Sequence, residues 1–445
     1  MLIQFAVENY LSFRDRTVFS LAASPGEDRH PCQTCPGPGD LRLLRCGAIY
    51  GANAAGKSNL IKAMQFAQQL ILKGTRPGEK LQARPFKLST ERKERSRFEF
   101  DIAIDGLRHA YGFSLERGVI AEEWLYQGQG ESEALVFERE GTDPIRLGDL
   151  FAADRDFISF VARGTRPEQL FLTELEERNV KQLAPLQFWF RERLRCITPG
   201  GPVPYNSIPL EAVSGLFPFI SEQIYDAGTG IREVRTERRR LQVSESMAKQ
   251  VRAMLRQTPL GVATIHHNGQ FRTVVEGDQE YSIDEYVVVA RRHLSDETTV
   301  DFEMDEESDG TKRYLDLLPT IFLNAYSSEP DQRVITVIDE IERSLHPLLT
   351  RRFLEQYLAH ACTGGQLIYT THDTNLLDLS LLRADEIWFA EKDLEHATRL
   401  YSLAEFKADQ LAQLGSHLEQ GYLNGRFGAI PFFGTRRQLG ISAGE

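Results

Sequence analysis

Four short stretches carry residue types that could do chemistry. The first is Gly51-Ala52-Asn53-Ala54-Ala55-Gly56-Lys57-Ser58, which fits the phosphate-loop pattern G-x-x-x-x-G-K-[ST] without a mismatch. Glycines let a backbone close around a phosphate so that N–H groups and a helix N-terminus point at it. Lys57 then offers a point charge to the outer phosphates, Ser58 a hydroxyl for magnesium, and Asn59 opens the helix. The second stretch, Val334 to Glu340, is an apolar strand ending in two carboxylates. Asp339 suits magnesium, and Glu340 suits orienting or deprotonating an attacking water. An ordinary acidic turn would look the same in isolation; the complete phosphate loop upstream favours the chemical reading. The third is Thr370-Thr371-His372-Asp373, where His372 could donate to a γ-phosphate or a catalytic water, or simply make a local loop hydrogen bond. The fourth, Ser308-Asp309-Gly310-Thr311, precedes a helical pattern, and Ser308 and Gly310 there suit either a helix cap or an anion site.

These residues need particular elements to hold them. Leu44 to Tyr50 reads as a strand, and Asn59 to Leu72 as a helix with Leu60, Ile61, Met64, Ala67 and Ile71 at helical spacing, so the phosphate loop sits between strand and helix. Leu2 to Val7 and Thr17 to Leu21 read as a hairpin, followed by a Pro/Gly/Cys-rich loop from Ser24 to Asp40. Cys32-Gln33-Thr34-Cys35 with His30 is half of a zinc pattern with no second pair, so a plain surface loop is the favoured reading. Phe98 to Ile104, His109 to Leu115 and Val119 to Tyr126, separated by turns, predict a β-meander, to which Ala134 to Glu138 could add a strand. Pro167 to Leu194 predicts helix broken near Pro185, a loop follows from Pro199 to Pro209, and Leu210 to Tyr225 predicts another helix. Thr236 to Gln257 predicts a polar, arginine-bearing helix. Strands are expected at 261–266, 271–275, 285–290, 333–338, 366–370 and 386–390, and helices at 312–323 and 347–361. The expected fold class is α/β, with residues 1–160 and 261–445 forming one head and 161–260 an inserted, mainly helical arm.

Bulk composition narrows the field. The 445 residues are 41% hydrophobic and 26% charged, which suits a globular chain with a real core. A net charge of −12 argues against a general polyanion binder. No apolar run reaches membrane-spanning length, the first residues lack a signal-peptide pattern, and five cysteines without framework spacing fit a reducing cytoplasm; a cytoplasmic location is expected.

The order of motifs resembles the ABC-type ATPase heads of SMC and RecF proteins: phosphate loop, long interruption, small-residue helix start, strand ending Asp339-Glu340, strand ending His372. Closer details are similar to OLD-like and abortive-infection AAA ATPases of prokaryotes, with the ATPase subunits of two-component phage-defence systems such as PARIS nearby. They are Val7-Glu8-Asn9-Tyr10, Tyr50-Gly51-Ala52-Asn53, Pro85-Phe86-Lys87-Leu88, Glu307 to Thr311, Asp339-Glu340-Ile341-Glu342, Leu345-His346-Pro347, Thr371-His372-Asp373 and Gly425 to Pro431. The resemblance implies a P-loop NTPase head of ABC type that binds ATP with Mg2+. Residues 51–59 would bind the nucleotide, Ser58 and Asp339 the metal, with Glu340 and His372 catalytic. It implies a homodimer of heads through ATP, with Ser308 and Gly310 touching the γ-phosphate bound by the partner head, Ser344 to Pro347 crossing the dimer, and higher oligomers open. Ser-Asp-Gly-Thr departs from the transporter signature Leu-Ser-Gly-Gly-Gln and speaks against a transporter subunit.

Two functional readings follow. One is a nucleotide-gated sensor or scaffold in anti-phage defence that controls a separate effector protein, a nuclease or toxin, with DNA or a phage protein as trigger and no membrane. With 73 residues after His372, a C-terminal nuclease domain of the kind found in OLD enzymes is not expected in this sequence. The alternative is a RecF- or SMC-like DNA-repair or DNA-maintenance ATPase, with Arg232, Arg235, Arg238, Arg239, Arg240, Arg252 and Arg256 as a basic face. Against this, Glu233, Glu237 and Glu245 would make the same stretch an ordinary mixed-charge surface. A P-loop kinase would need an acceptor site that no motif suggests. Phe13 and Arg14 could approach a base or ribose, but suit the first hairpin better.

Overall fold

The computed structural model describes residues 1–79, 81–89, 93–129, 132–141, 143–199, 215–256, 262–267, 270–277, 282–296, 298–326, 333–360, 364–406 and 418–430. The chain divides into two compact units, Met1–Leu194 with Gly365–Glu445, and Arg195–Gly364. The expected arm of residues 161–260 is therefore shared between the two units rather than forming one of its own.

In the first unit, β1 (Leu2–Glu8) and β2 (Thr17–Ser20) form the expected hairpin. The Pro/Gly/Cys-rich stretch is not all loop: Thr34–Pro36 (β3) and Arg42–Leu44 (β4) pair antiparallel. Cys35 is buried with its Sγ 3.2 Å from Met1 Sδ, and His30 Nε2 lies 2.9 Å from the Leu379 carbonyl. Among the described residues no group of three or more His, Cys, Asp and Glu is placed to hold a metal. Next come β5 (Cys46–Tyr50), buried at every position, and α1 (Lys57–Lys73), which buries all five apolar positions read from its period.

The meander is β6 (Arg95–Ile104), β7 (Leu107–Glu116), β8 (Val119–Gln129), β9 (Ser132–Glu140) and β10 (Arg146–Leu147). Asp105 and Gly106 both have positive φ (51° and 76°), as do Arg117 and Gly118 (52° and 86°). Two left-handed residues in a two-residue loop match the right-handed twist of the strands they join. With β1 and β2 these strands make one antiparallel sheet, β10-β9-β8-β7-β6-β1-β2. Its core is aromatic: Phe5 lies 4.8 Å from Phe100, and Phe100 5.1 Å from Phe190.

α2 (Arg155–Gly164), α3 (Phe171–Glu177) and α4 (Ala184–Phe188) follow. Pro185 sits in the first turn of α4 and opens that helix instead of breaking a longer one, because its missing N–H costs nothing there. Leu194, the expected last residue of that longer helix, instead opens β11 (Leu194–Ile197).

The second unit contains α5 (Leu216–Asp226), β12 (Glu233–Leu241), α6 (Glu245–Leu255), β13 (Val262–His267), β14 (Gln270–Glu276), β15 (Ile283–His293), β16 (Thr299–Glu303), α7 (Asp309–Tyr326), β17 (Ile335–Ile338) and α8 (Pro347–Ala359). The predicted loop 199–209 lies almost wholly outside the described residues. The helix expected over Thr236 to Gln257 is wrong for its first half, so the stretch 161–260 is not mainly helical throughout. Residues 233–241 alternate in charge with period two, and this register on β15 places Glu233 opposite Arg291 and Arg239 opposite Glu285. The sheet runs β12-β15-β14-β13, with β16 on β15, and α6 closes a small apolar core under it through Ala248, Val251 and Leu255. β17 lies beside β11, with the Asp339 N–H donating to the Ile197 carbonyl at 2.9 Å.

The chain then re-enters the first unit with β18 (Gln366–Thr370), β19 (Ile387–Lys392), β20 (Thr398–Ser402) and α9 (Leu418–Leu423). β18 and β19 flank β5, both parallel to it, and β20 adds antiparallel. The buried Gln366 amide ties this sheet to the N-terminal strand: it accepts from the Leu2 N–H at 2.7 Å and donates to the Leu2 and Leu44 carbonyls at 2.9 Å each.

Candidate nucleotide-binding site

The phosphate loop springs from the C-terminal end of β5, the end of a parallel strand where α/β sheets bind ligands. Two of its glycines are sterically required. Gly51 has φ +152°, and a Cβ there would meet the Ala390 carbonyl oxygen at 2.3 Å. Gly56 has φ +112°, and its Cβ would meet Thr398 Oγ1 at 2.1 Å. Between them Ala54 is left-handed at φ 63°, and Asn53 and Ala54 are exposed. Ala55 and Gly56 are buried; Ser58 and Asn59 are half-buried in the first turn of α1. Lys57 is 4% exposed, and its ammonium donates to the Gly51 carbonyl at 2.7 Å and the Ala52 carbonyl at 3.1 Å.

The same ammonium lies 3.2 Å from His372 Nδ1, so folding brings together two predicted residues 315 positions apart. An ammonium can only donate, so Nδ1 accepts and the imidazole proton sits on Nε2. His372 follows β18, where the Thr371 N–H donates to the Ile49 carbonyl at 3.0 Å. The loop is also braced from the N-terminus. Ser12 Oγ accepts from Asn59 Nδ2 at 2.8 Å and lies 2.8 Å from Thr398 Oγ1, which donates to the Ala55 carbonyl at 2.7 Å. Asn9 fixes the segment bearing Ser12: its side chain donates to the Lys93 and Arg95 carbonyls and accepts from the Phe86 N–H. This explains why Val7-Glu8-Asn9-Tyr10 and Pro85-Phe86-Lys87-Leu88 stand out. Phe13 is fully buried, and Arg14 is paired with Asp15, Asp393 and Glu395, so both serve the hairpin.

In the second unit, Asp339 is buried at the end of β17 and Glu340 follows it with φ 51°, a costly backbone for a glutamate. Arg313 of α7 donates to both of their carbonyls, at 3.3 Å to Asp339 and 3.2 Å to Glu340. Burial pushes the Arg313 guanidinium down and lifts the Asp316 carboxyl, one turn along, to about 7. Ser308 caps α7: Oγ accepts from the Thr311 N–H at 3.1 Å. A Cβ on Gly310 would stand 2.7 Å from the Ser344 carbonyl oxygen, so the helix start packs closely on the loop after Glu340. His346 caps α8, its Nδ1 accepting from the Leu348 N–H at 3.2 Å. Glu307, just before the cap, is buried in an ion pair with Arg292 of β15.

The sequence reading did not single out Ser12, Thr398, Arg313 or Arg292. Ser12 and Thr398 carry no local pattern at all; Arg313 is the second residue of a predicted helix, where an arginine is unremarked.

A family model described as "AAA domain, putative AbiEii toxin, Type IV TA system" matches residues 48–179 and 217–378, about two thirds of the chain. The chain belongs to this AAA family. The match takes in the phosphate loop, Ser308, Asp339, Glu340 and His372. No curated protein matches. Solved structures similar to this AAA chain include the SMC head domain from Thermotoga maritima, at 12% identity and a TM-score of 0.38, covering 90% of this chain and 98% of that one. Another is an SmcHead bound to the C-winged helix domain of ScpA, at 13% identity and a TM-score of 0.44, covering 93% and 99%. A third is an Smc head with an extended coiled coil bound to the C-terminal domain of ScpA derived from Pyrococcus furiosus, at 10% identity and a TM-score of 0.41, covering 93% and 98%. The chain is mixed α/β with several sheets, and its phosphate loop sits between β5 and α1. Among the described residues, no helix is long and apolar enough to cross a membrane.

Proposed function

We propose that this chain binds and hydrolyses ATP with magnesium, and that its nucleotide state governs a separate effector protein in a bacterial anti-phage system of the abortive-infection kind. The observation that carries the nucleotide reading is the phosphate loop itself. Gly51 and Gly56 hold positive-φ turns packed so closely on Ala390 and Thr398 that no Cβ fits, and Lys57 and His372 meet at the loop they shape. These residues fit a triphosphate: residues 51–59 cradle it with backbone N–H groups, Lys57 neutralises its outer oxygens, and His372 meets its terminal end. Ser58 and Asp339 are the oxygen donors suited to Mg2+, which when bound would supply charge neutralisation at the phosphates. Glu340 is assigned as the group that orients or deprotonates water.

Two such heads would pair through ATP, Ser308 and Gly310 of one facing the nucleotide of the other. The close seat of α7 on the Ser344 carbonyl, and the grip of Arg313 on the Asp339 and Glu340 carbonyls, support a unit in which signature and carboxylates move together. The defence role rests on the family description and on the residue-level resemblance given above. The test is Glu340→Gln expressed from its native locus, sized with and without ATP, and analysed for co-purifying protein and nucleic acid. The expected result is an ATP-retaining dimer or larger assembly carrying a neighbour-encoded protein. A variant no more dimeric or ATP-retaining than wild type sinks the role of Glu340, and recovery of DNA with no protein sinks the effector reading.

A further inference from the structure

The stretch Gly425 to Ile430 is distinctive in the sequence, yet no step of nucleotide chemistry uses its side chains. Its conformation shows what it does. Helix α9 ends in a Schellman motif: the Arg426 N–H donates to the Gly421 carbonyl at 3.0 Å and the Gly425 N–H to the Tyr422 carbonyl at 2.8 Å, with Gly425 left-handed at φ 77°. Gly428 (φ 70°) and Ala429 (φ 57°) turn the chain again. The outcome is that the Ala429 carbonyl accepts the N–H of Ala52, inside the phosphate loop, at 2.9 Å.

This contact is built, not incidental. Tyr422 OH donates to the same Ala429 carbonyl at 2.9 Å, and the Ala429 N–H donates to Glu391 Oε2 at 3.0 Å. Tyr401 OH donates to the Phe427 carbonyl. The Phe389 ring on β19 stacks with Tyr422 at 5.4 Å and with Phe427 at 5.8 Å. At its other end the segment reaches the loop after His372, where Thr374 Oγ1 donates to Glu419. One short segment thus holds both loops that the nucleotide reading assigns to the phosphates.

We propose that residues 418–430 form a strap that positions the phosphate loop for nucleotide, with Ala429 and Tyr422 as positioning residues acting through the Ala52 amide. The proposal rests on the nucleotide reading above. It predicts that loosening the strap weakens ATP binding far more than it weakens the fold, and that ATP in turn tightens the strap.

The test uses the full chain. In Gly428→Val a side chain would meet Glu391 Oε2 at 2.6 Å and Tyr401 OH at 2.7 Å at a left-handed φ that valine rarely adopts, so the turn is strained and Glu391, which holds the Ala429 N–H, must shift. Its Kd for a fluorescent ATP analogue should rise about tenfold, and that of the milder Tyr422→Phe about threefold, the scale of one lost hydrogen bond. Tyr422→Phe keeps the ring stack and should melt like wild type without nucleotide. In the wild type, hydrogen exchange in peptides covering 48–56 and 424–430 should slow together when ATP is added, which a merely structural tail would not do. Lys57→Ala run alongside separates the two readings. Loss of binding there, with wild-type affinity in both strap variants or ATP-indifferent exchange at 424–430, overturns the strap alone. Binding unaffected by Lys57→Ala overturns the nucleotide reading and the strap with it.

Discussion

Gly56 is the residue on which the phosphate loop is most tightly constrained. Its φ of 112° suits only glycine, and Thr398 Oγ1 and Ser12 Oγ stand 2.1 Å and 2.9 Å from where a Cβ would be. Gly56→Ala must therefore displace the Ser12–Thr398 brace as well as strain the backbone. The expected cost to folding is about 1–3 kcal/mol, seen as a lower melting midpoint, with loss of detectable ATP-analogue binding. Wild-type affinity in a folded Gly56→Ala protein would show that the loop is not the nucleotide cradle. At this scale the sequence was legible where a residue's duty is local. Glycine, lysine and serine in the loop are fixed by what eight consecutive positions must do. Ser12 and Thr398 were not legible, because their hydroxyls meet only after 386 positions of chain have folded back. His372 was legible as a candidate because its type and place after a strand suit a phosphate, but its approach to Lys57 belongs to the parallel pairing of β18 with β5.

Among the elements, α7 joins the Ser308 cap to the carbonyls of Asp339 and Glu340 through Arg313. Asp316, one turn beyond Arg313, is lifted to about 7 by burial, with Arg313 pulling the other way. An unfolded aspartate titrates near about 4. The folded form therefore holds a proton that the unfolded form releases between those two values, and stability is full below about pH 4 and declines as pH rises towards 7. Asp316→Asn removes the dependence. It should melt like wild type at about pH 4 and roughly 5 °C above it at pH 8; parallel pH profiles for the two proteins would show that Asp316 ionises freely. The elements read best from sequence were those whose period is set by one buried face, such as α1 and β6 to β8. Residues 236–241 were misread because seven of the nine residues of 233–241 are charged or polar, and the strand is visible only once β15 supplies the partners. β16 and β20 were missed for a related reason: each is a short strand at the edge of its sheet, with mixed burial.

For the molecule as a whole, the question is whether its arginines form a nucleic-acid surface. The chain carries a net charge of −12, so any such surface must be a local concentration of unneutralised cations. The candidate stretch supplies little of that. Arg235 pairs with Asp301 and Glu237, Arg238 with Asp284, and Arg239 with Glu237 and Glu303. Arg291 and Arg292 on the neighbouring strand are likewise held by Asp301 and Glu307. The cationic run and its mixing with Glu237 were plain in the sequence, but the pairing of Arg235 with Asp301 was not, since the two are 66 positions apart. A cation already matched to a carboxylate gains little by exchanging it for a phosphate, and releases few counterions in doing so. Binding to duplex DNA, followed by fluorescence anisotropy at about 50 and 200 mM salt, should accordingly be weak and change by less than about tenfold, against a thousandfold or more for a surface making six to ten phosphate contacts. A steep salt slope would mean that these ion pairs open to admit a phosphate backbone, and would favour a DNA-maintenance ATPase. A flat one would count against a DNA-maintenance ATPase and agree with the protein partner proposed above, the class that a neutralised, mixed-charge sheet can recognise by shape and paired charges.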